Sequence, residues 1–194
     1  MSPSRATRKR SDRDTSSAPA NAQGIASSVS PSLDSRCRVG IGNDLHRLAD
    51  GRKLILGGVH IPFGKGPVGH SDGDVLAHAI CDALLGAAHL GDIGRHFPNT
   101  SPRWKNACSL LFLRHVRERL KAAGYRIVNI DATVGLERPK LAPHILSMEK
   151  KVAAALALKL DQVSVKAKSG EGLDAVGRGE AIRADAVALI QACS

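Results

Sequence analysis

From Cys37 onward, apolar positions recur with a period that switches between strand-like and helical. Arg38–Ile41 and Leu54–Ile61 have strand-like apolar content, and the turn signals Asp50-Gly51 and Gly57-Gly58 predict a hairpin there. Ser71-Asp72-Gly73-Asp74 offers capping side chains for a helix over Val75–Leu90, rich in Ala and Leu and ended by Gly91. Trp104–Ala123 reads as a second, amphipathic helix closed by Gly124, and Tyr125–Val134 as a β-rich strand. A third helix is predicted over Pro143–Leu158, and a strand over Gln162–Ala167, where Val alternates with polar residues. Ala181–Ala192 combines Ala-rich helical propensity with a partial period of two, so both readings stay open. The sum is a mixed α/β domain of alternating elements without an internal repeat.

This patterning is missing before Cys37. Met1 to Arg36 is crowded with Ser, Ala, Pro, Arg and Asp and has no aromatic residue, so it is expected to be a disordered N-terminal tail, with 37–194 forming one domain. The tail lacks the continuous apolar core of a secretory signal, and no run approaches the length of a transmembrane helix, which argues against secretion and against a membrane partner. Its Arg and Ser overlap with an organellar transit peptide, a minor plastid reading against which Asp12, Asp14 and Asp34 count.

Composition sharpens this picture. Apolar residues make up 43% of the 194 but aromatics only 3%, so the core must rest on close packing of Ala, Val, Leu and Ile. A net charge of +10 suits nucleic acid, an acidic membrane surface or a multiply charged anionic substrate. A single Trp and a single Tyr leave few platforms for stacking bases, which disfavours nucleic acid. Cys37, Cys81, Cys108 and Cys193 form no CxxC pair and no dense disulfide framework, as expected in a reducing compartment, the cytoplasm.

All eight histidines lie beyond the tail. In an extended chain Asp44 and His46, two residues apart, project to one face and make half a metal site. His70-Ser71-Asp72-Gly73-Asp74 precedes a helical stripe of Asp74, His78 and Asp82 at four-residue spacing, which can supply further ligands and their supports. A catalytic zinc keeps three protein ligands and an open position, a count that Asp44, His46 and His78 fit. Read blandly, Asp44 caps a turn and His78 is a hydrogen-bonded helix residue. Further on, Lys166 to Glu171 and Gly177-Arg178-Gly179-Glu180 offer hydroxyl, amide and cationic donors suited to phosphate oxygens, with Glu171 a carboxylate for a magnesium-like ion. Arg138-Pro139-Lys140 is a third candidate, a stiff turn whose Lys140 can meet a phosphate. Charge runs of this kind are equally common as solvated surface turns.

These residues, in this order and spacing, resemble the 2-C-methyl-D-erythritol 2,4-cyclodiphosphate synthases. The resemblance rests on Arg38 to His46, His70 to His78 with Asp82 to Gly86, Leu90 to Gly94, Phe97-Pro98-Asn99-Thr100, Pro139-Lys140, Val165-Lys166-Ala167 and Gly177 to Glu180, and covers the chain from Arg38 to its end. It implies a catalytic domain that converts 4-diphosphocytidyl-2-C-methyl-D-erythritol 2-phosphate, a cytidine diphosphate substrate, to the cyclic diphosphate with release of CMP. By the resemblance, Asp44, His46 and His78 hold zinc, and Glu171 supports a magnesium or manganese ion on the diphosphate. His70 and Ser169 are the implied catalytic residues. Ser71, Asp92, Gly94, Phe97, Pro139, Lys140 and Arg178 are implied substrate contacts, together with the metal ligands Asp44 and His46. The implied architecture is a four-stranded sheet with helices on one face, packed as a homotrimer around a threefold axis with sites between subunits. That makes Ala181 to Ile190 a strand despite its Ala content.

The chain departs from the family pattern in places. Only Ser169 keeps a hydroxyl in a stretch usually rich in Thr, Asn99 replaces a frequent Asp, and Asn43 stands where an aromatic is usual. Ala175 replaces a common aromatic, which argues against an aromatic-lined cavity for a prenyl diphosphate on the trimer axis. Two other classes compete with the synthase reading. A zinc phosphoesterase would activate water at the open position and give a linear product, and a basic nucleic-acid module would bind with a steep salt dependence.

Overall fold

Period-two alternation along the first strand decides the architecture, because its even positions face a helix and its odd positions face away. The computed structural model describes residues 36–193; the tail expected over Met1–Arg36 lies, but for Arg36, outside them. The strands are β1 (Cys37–Asp50), β2 (Leu54–Leu56), β3 (Val59–Ile61), β4 (Lys65–Pro67), β5 (Tyr125–Gly135), β6 (Val163–Lys168) and β7 (Ala181–Ala192). The α-helices are α1 (Val75–Ala87), α2 (Ile93–His96), α3 (Leu110–Ala122) and α4 (Ile145–Leu156). A five-stranded mixed sheet runs in the order β4-β1-β7-β5-β6, and β2 and β3 form a separate hairpin. Only β5 and β6 are parallel, joined by the crossover helix α4, as parallel neighbours require.

The expectation of four strands needs correcting. Lys65-Gly66-Pro67 pairs with the far end of β1 at Leu48, Ala49 and Asp50, adding a short fifth strand at the edge. Its Gly and Pro carry no strand propensity, so pairing rather than local preference makes it extended. Ala181–Ala192 is a strand. It lies between β1 and β5 with both edges hydrogen-bonded, and Ala184, Ala186, Ala188 and Ile190 are fully or almost fully buried beneath α1. Tertiary packing overrides the helical propensity of its alanines.

Small residues set how near α1 comes to the sheet. A Cβ built on Gly40 would lie 2.0 Å from the Ala83 carbonyl oxygen, and one on Gly42 would lie 2.1 Å from that of Ala79. The helix backbone therefore rests directly on β1 with no room for a side chain. Two-residue steps down β1, from Gly40 to Gly42, match four-residue steps back along α1, from Ala83 to Ala79. The fit works because two strand residues and one helical turn span similar distances. Continuing that register brings the next inward position, Asp44, level with the first turn of α1.

Asp74 locks the start of α1. Its carboxylate caps the helix through Ala77 N and also accepts from the backbone N–H groups of Gly57 (2.9 Å) and Gly58 (2.7 Å). Both glycines have positive φ, as a two-residue hairpin turn demands. Burial pushes the Asp74 carboxyl up to about 6, opposed by the capping N–H and reinforced by nearby Asp72. The expected helix over Trp104–Ala123 begins only at Leu110, because a short 3-10 turn at Pro102–Trp104 and an irregular stretch come first. Helix α4 likewise occupies Ile145–Leu156 rather than the longer span expected. Among the described residues no helix is long and apolar enough to cross a membrane.

Gly42→Ala must force α1 off β1 by more than an ångström. It should destabilise the domain by about 3 kcal/mol, lowering the midpoint of thermal unfolding by roughly 10 °C, as followed by circular dichroism.

Candidate metal centre and its cavity

Asp44 and His46 occupy consecutive inward positions of β1, beyond the two glycines, and His78 reaches them from α1. Asp44 Oδ2 lies 3.0 Å from His46 Nε2 and 2.8 Å from His78 Nδ1. One potential ligand atom from each residue lies within 4.8 Å of the other two, close enough to share one ion. The donor set of two imidazoles and a carboxylate suits a divalent cation of the zinc type and leaves a position open.

The outer atoms of the ligands are engaged in ways that leave the inner ones free. His46 Nδ1–H donates to the Val68 carbonyl at 2.6 Å, so Nε2 is the nitrogen presented to Asp44 and to a cation. His78 presents Nδ1 to Asp44 and turns Nε2 toward the hydroxyls of Ser109 (2.9 Å) and Ser71 (3.1 Å). Supports of this kind fix the ring orientation and tautomer of metal-binding histidines. Burial works to raise the Asp44 carboxyl, but hydrogen bonds from His46 and His78 and their positive charge outweigh it and hold the group well below the usual carboxylate range. The hydrogen bond that His46 donates to Asp44 raises His46 above its ordinary value, against a smaller opposing effect of burial.

The centre opens on a cavity of about 580 Å³ lined by His46, Gly69, His70, Ser71, His78 and Gly94, with an apolar wall of Ile93, Phe97, Trp104 and Phe112. Phe97 stacks on Phe112 at 4.5 Å, and Trp104 meets both rings edge-on. His70 Nε2–H donates to the Ser101 carbonyl at 3.1 Å. Asp92 lies outside this lining, exposed, and caps α2 through Arg95 N.

The remaining candidates stand elsewhere in the chain. Pro139, Lys140, Ser169 and Glu171 line a second cavity of about 470 Å³, closed by Leu136, Leu141, Ala142, Ala167 and Lys168. There the Ser169 hydroxyl donates to the Glu171 carboxylate, Glu137 accepts from Gly170 N, and Glu171 holds a positive φ of 50°. Arg178 belongs to a third cleft with Lys65 and Arg138, where it pairs with Glu180 at 3.1 Å. One chain thus brings together Asp44, His46, His70, Ser71, His78, Gly94 and Phe97, but not Ser169, Glu171, Pro139, Lys140 or Arg178.

The expected stripe of Asp74, His78 and Asp82 is only partly a site. Asp74 points into the core as a cap, and Asp82 Oδ1 accepts from Ile93 N at 2.6 Å, anchoring the loop behind the centre. Burial raises the Asp82 carboxyl, its hydrogen bond to Ile93 opposes this, and the charges of Asp92 and Asp44 add to the rise. One residue, and the part played by another, escaped the reading of the sequence. Ser109 is wholly buried between His78 and Asp72, and Asp72 accepts from both its backbone N–H and its hydroxyl. The available signal was a serine just ahead of the helical pattern at Leu110, obscured by the early start assigned to that helix.

Fold and site together define an α/β protein with a three-donor metal centre held between a glycine-stepped strand and the helix lying on it. The chain belongs to the YgbB family, whose model matches residues 37–191. It is 56% identical over 154 residues to a 2-C-methyl-D-erythritol 2,4-cyclodiphosphate synthase of Chloroherpeton thalassium, covering 79% of this chain and 98% of the relative. Among solved structures, a 2C-methyl-D-erythritol-2,4-cyclodiphosphate synthase in a form with CDP bound aligns with a TM-score of 0.74 at 40% identity, over 79% of this chain and 100% of the other. The bifunctional IspDF from Campylobacter jejuni aligns with a TM-score of 0.78 at 37% identity, over 80% of this chain, which spans 42% of that longer protein.

The shifts of Asp44 and His46 set a pH window. A lowered carboxyl stabilises the metal-free fold above its ordinary value near 3.8, and that contribution is lost as pH falls through the lower folded value. A raised imidazole stabilises it below 6.5, a contribution lost as pH rises through the higher folded value. A cation must displace that proton from His46. Zinc affinity measured by chelator competition should therefore drop steadily as pH falls from 8 to 6, and calorimetry should register proton release on binding. An affinity flat across that range would contradict the assignment of His46.

Proposed function

We propose that the chain converts 4-diphosphocytidyl-2-C-methyl-D-erythritol 2-phosphate to 2-C-methyl-D-erythritol 2,4-cyclodiphosphate and CMP, a step of the non-mevalonate isoprenoid pathway. The observation that carries this reading is a three-donor centre at the matching positions of a family relationship spanning the described domain. The reaction is an intramolecular phosphoryl transfer. An oxygen of the 2-phosphate bonds to the β-phosphorus as the bond from that phosphorus to the CMP oxygen breaks, so no enzyme nucleophile is required. Its barrier falls through positioning and neutralisation of charge.

Each group of residues has a part in that task. A zinc-type cation on Asp44, His46 and His78 would supply Lewis-acid polarisation of a phosphoryl oxygen. His70 and Ser71 flank the centre and meet the phosphate being attacked, while Gly94 and the wall of Ile93, Phe97 and Phe112 take the carbon skeleton and exclude water. Asp92, beside this cavity, accepts from the erythritol hydroxyls. Lys140 and Ser169 provide an ammonium and a hydroxyl for the nucleotide phosphates, beside Pro139, and Glu171 is the carboxylate for a magnesium or manganese ion on the diphosphate. Arg178 adds charge near that end. All four cysteines are free, which supports a reaction in the reducing cytoplasm.

A complete site requires more than one copy. The face of the sheet opposite α1 exposes Val39 (68%), Ile41 (73%), Leu45 (63%) and Val187 (44%), an apolar stripe on two adjacent strands. Exposed apolar side chains concentrated on one sheet face mark an association surface. We assign it to a homotrimer in which the metal half-site of one subunit faces the nucleotide half-site, with Lys140, Ser169 and Glu171, of its neighbour.

Complementation between variants tests reaction and assembly at once. His46→Ala and Glu171→Ala should each lose CMP release by about a hundredfold or more, whereas the two variants unfolded and refolded together should regain a measurable part of it. Phosphorus NMR of the product should show the cyclic diphosphate, and a chelator should abolish it. A linear, hydrolysed product would favour a phosphoesterase, and a mixture as inactive as its parts would place each site within one chain.

A further inference from the structure

Ser109 occupies the N-cap position of α3, where a serine hydroxyl ordinarily accepts a hydrogen bond from the first turn of the helix. Here it makes no such bond, although the residue is wholly buried. The hydroxyl is turned to the metal centre instead. Its oxygen lies 2.9 Å from His78 Nε2 and 2.5 Å from Asp72 Oδ1, while the backbone N–H of the same serine donates to Asp72 Oδ2 at 2.9 Å. Asp72 is itself tied to the start of this turn, since its N–H donates to the Ala107 carbonyl at 3.1 Å.

We propose that Ser109 and Asp72 are positioning residues that fix which nitrogen of His78 faces the metal. The order of protons follows from the chemistry of each group. An ionised carboxylate only accepts, so the Ser109 hydroxyl must give its proton to Asp72. With that proton committed, the Ser109 oxygen can only accept from His78, so Nε2 carries the hydrogen. Nδ1, 2.8 Å from Asp44 Oδ2, is then the nitrogen that gives its lone pair to a cation in place of the proton it shares with Asp44. Asp72 does through one hydroxyl what a carboxylate does directly in a carboxylate–histidine–metal triad. Ser71 cannot enforce the same choice. Its hydroxyl, 3.1 Å from the same nitrogen, can donate or accept, and no carboxylate holds its proton. Ser109 thus forgoes its capping bond to serve the metal centre, a local rule broken at a functional site.

The inference rests on Asp44, His46 and His78 forming a metal centre, so zinc binding by the parent full-length protein is measured alongside. Ser109→Ala and Asp72→Asn should each weaken zinc binding by about ten- to a hundredfold. The double variant should lose no more than the stronger single one, because Asp72 acts through Ser109. Nitrogen NMR of the zinc-loaded protein should show the His78 Nε2–H protected from solvent exchange in the parent and exchanging faster in Ser109→Ala. A purely structural role would lower the melting temperature of the metal-free protein while leaving that exchange rate unchanged, and this result would overturn the proposal. Zinc affinities within twofold of the parent would overturn it too. If Ser109→Ala does not fold, Asp72→Asn decides by the same two readouts. A parent that binds no zinc would remove the metal centre and this inference with it.

Discussion

The contact on which the structure depends is the bare approach of α1 to β1 at Gly40 and Gly42. Because neither position carries a side chain, helix and strand backbones meet directly, and their relative register has no slack. The metal centre is the continuation of that contact. Inward positions that are glycine where the helix is closest become Asp44 and His46 where its first turn begins, and His78 fills the gap between the elements. A side chain at either glycine would separate the ligands as well as loosen the core, so stability and ligand geometry are set by the same few atoms. Asp74 serves both ends from the other side, joining the β2–β3 turn to the start of α1 through three backbone N–H groups.

Charge is arranged around this frame according to where it must be neutralised. Asp44 is held ionised by two imidazoles, and each ring is in turn held by an outer partner, a carbonyl for His46 and a buried hydroxyl for His78. The wall opposite is aromatic and apolar, and it gathers three of the five Phe, Trp and Tyr residues of the chain beside one cavity. The cationic and hydroxyl donors suited to a nucleotide lie in a separate cavity near the end of β6. Such a division makes sense for a chain whose exposed sheet face is apolar along β1 and β7, since self-association can set one cavity against the other.

Much of this was legible in the residues. The i, i+2 spacing of Asp44 and His46 and a capped helix carrying His78 define the centre without coordinates, and the strand character of β5, of β6 and of the start of β1 is plain. Three features were not legible locally. The strand β7 is built of alanines because α1 must lie close, a requirement of packing that propensity cannot express. The fifth strand, Lys65–Pro67, is extended only because β1 offers it an edge. The part played by Ser109 was hidden because a capping serine looks the same whether its hydroxyl turns to its own helix or to a histidine across the core. Asp74 misled for a related reason, since four-residue spacing shows which residues share a helix face but not whether the first of them is spent as a cap.

The central claim is that one divalent cation is held by two imidazoles and one carboxylate, with a position left open. X-ray absorption at the zinc edge of the zinc-loaded protein reports this directly. The account predicts a shell of nitrogen and oxygen only, at about 2.0–2.1 Å, with the outer-ring scattering of two imidazoles. Sulfur at about 2.3 Å, or no imidazole signature, would contradict it.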